Sequence, residues 1–548
     1  MSGPYSIGFD FGTESVRVLI VSTADGRIAA QSVSNYPHGV IDSTLPTTGA
    51  KLPPDYALQH PQDWLDCAAK ACKSAVKSAG IDPQDILGIG VDFTSCTMLP
   101  ADAHGTPLCL LEQWSKEPQA WPKLWKHHGA KTQTDRINQI AQERNEAWLG
   151  RYGGTIGLEW FFPKVLEALE RSPEVYDATR NWIEAGDWFV WQLISGPFPH
   201  CNESDIARST CQAGYKAMWN NKTGFPSPEY FAAVHPKLGD VVTTRMSGSL
   251  CAPGKRAGRL TSRAAELLGL EEGIPVSAAI IDAHSGVPGA GVAGDKTMVL
   301  VIGTSACQML NSKVEKVVPG IAGVVEDGIL PGYFGYEMGQ ASVGDAFAWL
   351  AQNLKLGHDE LNREAASLPP GSGGVLALDW LNGCRTPLMD GRVSGSFVGL
   401  TLNTKPAQLY RALMEATAFG LRWIVQLLRD AGVPVERFVA SGGLPAKSPL
   451  LMQIYADVLG EEIRLAESDN SVALGAAILG SLASITDSKA DTRSAVTAMA
   501  RQRSEPVYRP RSEAKGAYDR LYSLYRTTGE CDGPLARTMR ELRSFATE

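Results

Sequence analysis

Ile7-Gly8-Phe9-Asp10-Phe11-Gly12-Thr13-Glu14-Ser15 alternates apolar residues with small or charged ones up to a Gly-Thr step. Ile7, Phe9 and Phe11 share one face and Gly8, Asp10 and Gly12 the other, the period of a half-buried strand. Val16 to Val21 continues as a second strand, and Asp25-Gly26 gives a hairpin signal before Arg27 to Val33. A glycine where one strand turns into the next lets main-chain amides approach a phosphate closely. Asp10, on the face away from Phe9 and Phe11, is placed to hold a magnesium ion through water. The same residues also suit a plain hairpin turn with an exposed acid.

Working outward, Leu300-Val301-Ile302-Gly303-Thr304-Ser305-Ala306 repeats the pattern: an apolar run, Gly-Thr, then strand-like sequence again. Taken singly it is an ordinary tight turn; paired with the first loop, Gly303, Thr304 and Ser305 become a second phosphate candidate beside Gly12 and Thr13. Gly-Thr also occurs at Gly105 and Gly154, but no apolar strand leads into either. The pair predicts two related α/β halves facing each other, divided near residue 288 after a strand over Val276 to Ile281. Helices predicted over Pro61 to Ala79 and Lys405 to Asp430, and a strand over Leu87 to Phe93, fit the alternation of an α/β protein. Ala517 to Arg526 reads as a terminal helix in a charged tail.

Three further segments carry chemistry or imitate it. Asp282 ends the apolar run Val276 to Ile281, where α/β proteins place ligands; it also suits a helix N-cap, because Gly and Ala residues follow. Ser441-Gly442-Gly443-Leu444-Pro445 lies between a strand, Arg437 to Ala440, and a helix, Pro449 to Leu459. Its small residues let a flat ring and its sugar lie against the backbone, or simply make a two-glycine connection. Gly289 to Gly294 spells G-x-G-x-x-G, but Met298 to Ile302 after it reads as a strand rather than the helix that a dinucleotide site requires. Gly248 to Lys255 has one residue too many for a P-loop, and Arg256 stands where Ser or Thr belongs. Asp10-Phe11-Gly12 is not a protein-kinase signature, for no His-Arg-Asp loop accompanies it.

Composition narrows the classes. At roughly 100–200 residues per domain, 548 residues imply at least two. A net charge of -8 with no cluster of basic residues and aromatics argues against a nucleic-acid partner. The most apolar long stretch, Val276 to Ala293, contains Asp282 and His284 and is too polar to span a bilayer. No basic region followed by an apolar core opens the chain, and the ten cysteines include no Cys-x-x-Cys pair. A cytoplasmic protein with neither structural zinc nor a disulfide framework is expected.

The two Gly-Thr loops, the Asp282 strand and the Gly442-Gly443 loop, in that order, resemble the FGGY carbohydrate kinases from about residue 5 to about residue 482. More specific strings are Gly90-Val91-Asp92-Phe93-Thr94-Ser95-Cys96-Thr97, Trp125-Lys126-His127-His128, Arg151-Tyr152-Gly153-Gly154, Ala213-Gly214-Tyr215-Lys216, Gly335-Tyr336-Glu337 and Leu378-Asp379-Trp380-Leu381-Asn382-Gly383. They are similar to those of the members that phosphorylate L-ribulose in L-arabinose catabolism.

The resemblance implies two duplicated actin-like (ribonuclease H-like) ATPase domains, 1–288 and 289–548, with a cleft between them. It implies ATP and Mg2+, with Asp282 as catalytic base and Asp10 as the magnesium-associated acid. Gly12, Thr13, Gly303, Thr304 and Ser305 would hold phosphates, and Gly442 and Gly443 the adenosine. Ser95, Lys216, Asp282 and Glu337 would hold the sugar. Ser95 departs from relatives with Ala or Gly there, so a contact through its hydroxyl as well as the main chain is open. A homodimer is compatible with the family. Kinases of D-ribulose, xylulose or ribitol are the neighbouring reading; a non-enzymatic actin-like protein has no need of a sugar-side acid and lysine.

Overall fold

β1 (Tyr5–Phe11) and β2 (Ser15–Ser22) pair antiparallel around the Gly12-Thr13 turn, and β3 (Ile28–Asn35) pairs antiparallel to β2. A computed structural model describes residues 3–485 and 491–545; part of the charged tail, 486–490 and 546–548, lies outside the described residues. Gly26 turns the β2–β3 hairpin with φ 75°, as the Asp25-Gly26 signal predicts. α1 (Pro61–Ala79) covers one face of this sheet with Trp64, Leu65 and Ala68, against which Ile7, Phe9 and Phe11 pack. β4 (Ile86–Phe93) then joins parallel to β1.

The glycines on the opposite face have a steric cause. A Cβ on Gly8 would lie 2.1 Å from the Ala473 carbonyl oxygen, on Gly88 1.9 Å from that of Gly480, and on Gly90 1.8 Å from that of Ala476. The backbone of a helix, Ser471–Ala483, therefore rests directly on β1 and β4. The alternation in the opening stretch records which side takes side chains and which takes a helix.

The first sheet runs β3-β2-β1-β4, then Pro275–Ser277 and Arg256–Arg259. The second contains Phe334–Gln340, Ala306–Ser312, Thr297–Ile302, Arg437–Ser441 and Ile463–Leu465 in that order, with Gly323–Glu326 at its edge. In both, a three-strand antiparallel meander is followed by parallel strands on the other side of its first strand. A helix follows each fifth strand: Asp282–Gly289 in one, Ser471–Ala483 in the other. These two helices touch backbone to backbone, since a Cβ on Gly475 would lie 1.7 Å from Ser285 O and one on Gly289 1.7 Å from Ser471 O.

Three expectations are adjusted. The strand over Val276 to Ile281 is split into Pro275–Ser277 and Ile280–Ile281. Val276 lies opposite Ile89 and Ile280 opposite Asp92, so this segment carries one residue more than β4 between those points, as in a bulge. A short helix, Gly443–Lys447, forms between the Gly442 turn and Pro449–Leu459. The helix around Ala517 to Arg526 extends over Ser512–Thr528 and is followed by another, Pro534–Phe545. The two rejected motifs lack the required helices: Thr297–Ile302 follows Gly289 to Gly294, and Arg256–Arg259 is a strand.

Candidate active site

β1 and β4 run parallel with Asp10 opposite Asp92, and Ile280 also lies opposite Asp92, so Asp282 emerges two residues later beside the same pair. Asp92 is completely buried, and among the described residues neither of its oxygens meets a donor; its polar neighbour is the Asp10 carboxyl. Burial pushes its pKa well up, and Asp10 and Asp282 push it further. Burial also raises Asp10, against the opposing pull of Arg17, whose Nη1 donates to Asp10 Oδ2 at 3.1 Å. Asp282 is pushed up to about 7, first by burial and then by Asp10 and Glu337; the Ala283 N–H, 2.6 Å from Oδ1, opposes this.

Asp282 follows the strand Ile280–Ile281 and is the first residue of the helix Asp282–Gly289; Ile281 is the N-cap, so Asp282 does not cap this helix. A buried carboxylate without a donor is costly unless a cation compensates it. Asp10 and Asp92, paired across adjacent strands, offer the oxygen ligands that a hard divalent ion takes.

Asp92 was not among the site residues expected from the sequence, although Gly90-Val91-Asp92-Phe93 repeats Gly8-Phe9-Asp10-Phe11 in residue type. That repetition was the available signal: adjacent parallel strands with one pattern set their acids side by side.

Lys216 closes the helix Thr210–Lys216, and Glu337 lies inside the strand Phe334–Gln340. Lys216 Nζ donates to both Glu337 oxygens at 3.0 and 3.0 Å. At 4% exposure Lys216 is not a solvated surface lysine. Arg385 Nη2 also donates to Glu337 Oε1, and His284 Nε2 stands 3.5 Å from Oε2. Burial would raise the Glu337 pKa, but Lys216 and Arg385 hold it well below the usual carboxylate range. Burial would lower that of Lys216, and Glu337 outweighs it.

Lys216 and Arg385 face a cavity of about 330 Å³ bordered also by Glu159, Trp160 and Asn382; Asp282 and Glu337 do not line it. Arg385 and His284 carried no local sequence signal, since long-range folding alone brings them to Glu337. Ser95, half-buried, sits in the turn leaving β4, where the Thr94 N–H donates to Phe11 O at 3.2 Å and Cys96 adopts φ 57°.

The two Gly-Thr loops end equivalent strands but are held differently. Gly12 N–H donates to Ser15 O at 3.0 Å, Trp125 Nε1 to Thr13 Oγ1 at 3.0 Å, and Gln59 Nε2 to Thr13 O at 2.7 Å. Gly303 N–H donates to Ser305 O at 2.9 Å, and Gly303, Thr304 and Ser305 are all exposed. Gly442 adopts φ 98° with Ile302 O 2.5 Å from where a Cβ would stand, so only glycine fits. Nothing crowds the corresponding position of Gly443. Gly442 borders a cleft with Pro445, Ala446, Ser468 and Arg503. Among the described residues no helix is long and apolar enough to cross a membrane.

Residues 5–289 match the FGGY family of carbohydrate kinases, N-terminal domain, and residues 298–484 its C-terminal domain. The chain is 44% identical over 546 residues to a ribulokinase of Bacillus licheniformis, covering 97% of each chain. It is 42% identical over 562 residues to a ribulokinase of Mycolicibacterium smegmatis, covering 99% of this chain and 97% of the other. Its fold superposes on the xylulose kinase of Rhodospirillum rubrum with a TM-score of 0.78 at 23% identity, covering 99% and 100% of the two chains. Two sheets of one topology, carboxylates gathered on the first, and these matches over both halves lead to one conclusion: the chain belongs to the FGGY family of carbohydrate kinases.

Proposed function

We propose that this chain transfers the γ-phosphoryl group of ATP to the terminal hydroxyl of L-ribulose, giving ADP and L-ribulose 5-phosphate. The observation that carries this reading is the buried Lys216–Glu337 pair beside Asp282, in a chain 42–44% identical to ribulokinases over nearly its whole length. Residues 1–288 supply the acids, the first phosphate loop and Lys216; residues 289–548 supply Glu337, the second loop and the adenosine turn.

Asp282 orients the terminal hydroxyl and accepts its proton. Phosphoryl transfer passes through a loose transition state, so alignment and charge neutralisation outweigh early proton removal. Asp10, through water, and Asp92 would hold Mg2+, which when bound neutralises charge on the β- and γ-phosphates. The loops Gly12-Thr13 and Gly303-Thr304-Ser305, whose turns are closed by the Gly12 and Gly303 amides, grip the phosphates through Thr13, Thr304 and Ser305, and Gly442-Gly443 takes the adenosine. Lys216 and Glu337 present charge-assisted hydrogen bonds to the sugar hydroxyls, with Ser95 alongside. Arg385 and His284, both against Glu337, keep that carboxylate ionised and aimed.

The xylulose kinase fold match motivates a neighbouring reading with D-ribulose, xylulose or ribitol as acceptor. A coupled assay of ADP release over these four acceptors decides. The highest kcat/KM with L-ribulose supports the proposal; a higher value with another acceptor replaces it.

A further inference from the structure

A second group of ligating side chains lies outside the carboxylate cluster, at the start of α1. His60 is the N-cap residue of that helix and Asp63 stands in its first turn, while His38 comes from the segment after β3. One ligand atom from each of His38, His60 and Asp63 falls within 4.8 Å of the other two. His38 Nδ1 donates to Asp63 Oδ1 at 2.8 Å, and the His38 N–H donates to Asp63 Oδ2 at 3.0 Å.

His60 Nδ1 points at the same oxygen from 3.9 Å, too far for a hydrogen bond, and is buried with no partner of its own. The two imidazoles stack with centroids 4.3 Å apart and 11° between planes, and Trp121 closes the far side of His60 edge-on at 5.5 Å. The Asp63 side chain is 7% exposed and His38 40%, so the group is walled inside and open on one side.

A buried imidazole nitrogen without a donor or acceptor calls for an explanation. A second imidazole and a shared carboxylate within a few ångströms supply one. We propose that His38, His60 and Asp63 form a binding site for a divalent transition-metal ion of the zinc class, with a fourth position open to solvent. Two imidazoles and one carboxylate match the ligand chemistry of zinc, whereas magnesium takes oxygen ligands. The site is therefore chemically distinct from Asp10 and Asp92.

With Zn–N bonds of about 2.0–2.1 Å, tetrahedral ligand atoms stand roughly 3.4 Å apart. In the stacked arrangement the near-parallel rings cannot both aim a nitrogen at one ion, so binding turns the half-exposed His38 ring out of the stack. Binding exchanges the His38 Nδ1 proton, released to solvent, for the metal bond. The neighbour of His60, Gln59, holds the Thr13 carbonyl at 2.7 Å, so an ion here braces the segment that steadies the first phosphate loop.

The test is a titration of the chelator-treated full-length protein with Zn2+ by calorimetry and with Co2+ by visible absorption, in excess Mg2+ to fill the carboxylate site. One equivalent should bind with a tetrahedral Co2+ spectrum. His60→Ala and His38→Ala should weaken binding by more than the roughly 10–100-fold that follows loss of a merely supporting group. His235→Ala, away from the cluster, should bind as the parent does. Absence of binding in the parent chain, or equal affinity in the parent and both cluster variants, overturns the proposal. If His60→Ala fails to fold by circular dichroism, His38→Ala decides alone, because its exposed ring leaves no large cavity.

Discussion

The two sheets place the same three positions together and fill them with opposite chemistry. In the first, Asp10 on β1 faces Asp92 on β4, and Asp282 opens the helix that follows. In the second, Val301 faces Ser441, and Ser471 opens the equivalent helix. Ser441 Oγ and Ser471 Oγ satisfy each other at 2.6 Å, whereas among the described residues the buried Asp92 carboxyl has no donor and only the Asp10 carboxyl beside it. The fold therefore does not require charge at these points. One copy is a stable, self-satisfied version of the site; the other retains uncompensated carboxylates, the pattern expected where function is bought with stability.

The largest expected difference between the copies is at the helix starts. Asp282→Asn keeps size and removes the proposed proton acceptor, so kcat should fall about 10²–10⁴-fold. Ser471→Ala removes only a neutral hydrogen bond, about 1 kcal/mol of stability, with kcat unchanged. Steady-state kinetics of both variants checks this, and near-normal turnover in Asp282→Asn breaks the contrast. Because Asp282 is pushed up to about 7, kcat/KM of the parent should climb with pH up to about 7 and then level. The residual activity of Asp282→Asn should lack that inflection.

Next in size is the proposed sugar side. Lys216→Ala or Glu337→Ala removes charge-assisted bonds of about 1.5–3 kcal/mol each, roughly a 10- to 150-fold rise in KM for L-ribulose. KM for ATP should move far less. The two substitutions should be non-additive, since the side chains bond each other. Circular dichroism must accompany them, because breaking a buried ion pair destabilises. Equal effects on both substrates would detach the pair from the sugar.

Asp92→Asn sharpens the comparison by making the first sheet more like the second. The Mg2+ concentration for half-maximal activity should rise about 10–100-fold. Stability without Mg2+ should increase instead. The folded pKa of Asp92 is raised above its unfolded value, so the folded state binds more protons. The parent accordingly loses stability as pH rises from about 3.9 towards the folded value. Thermal melts at neutral pH with and without Mg2+ read both effects; an Asn variant that melts lower without Mg2+ refutes the reading of Asp92 as an uncompensated charge.

The smallest effect concerns the loops. Trp125→Phe removes the bond to Thr13, about 0.5–1.5 kcal/mol, hence roughly a 2- to 12-fold rise in KM for ATP. An unchanged KM for ATP would leave the side-chain support of the first loop without a role in nucleotide binding.

Much of this was legible in the sequence. The duplicated Gly-Thr strands foretell two sheets of one topology, because strand period and turn residues are local properties of the chain. α1 runs over the Pro61 to Ala79 predicted for it, where a proline at the first helical position and Gly80 after the end mark the limits. Asp10 stands out as the acid of an alternating strand just before Gly12-Thr13, and Asp282 because it ends an apolar run. Tertiary structure alone decided that Gly8, Gly88 and Gly90 make room for a helix that begins at Ser471, hundreds of residues away in the chain. It also decided that Asp92 joins the acids, that Arg385 and His284 converge on Glu337, and that His38 and His60 share Asp63. The physical reason is that strand register and helix packing fix which side chains meet, and these arise from contacts between distant segments that no local spacing encodes.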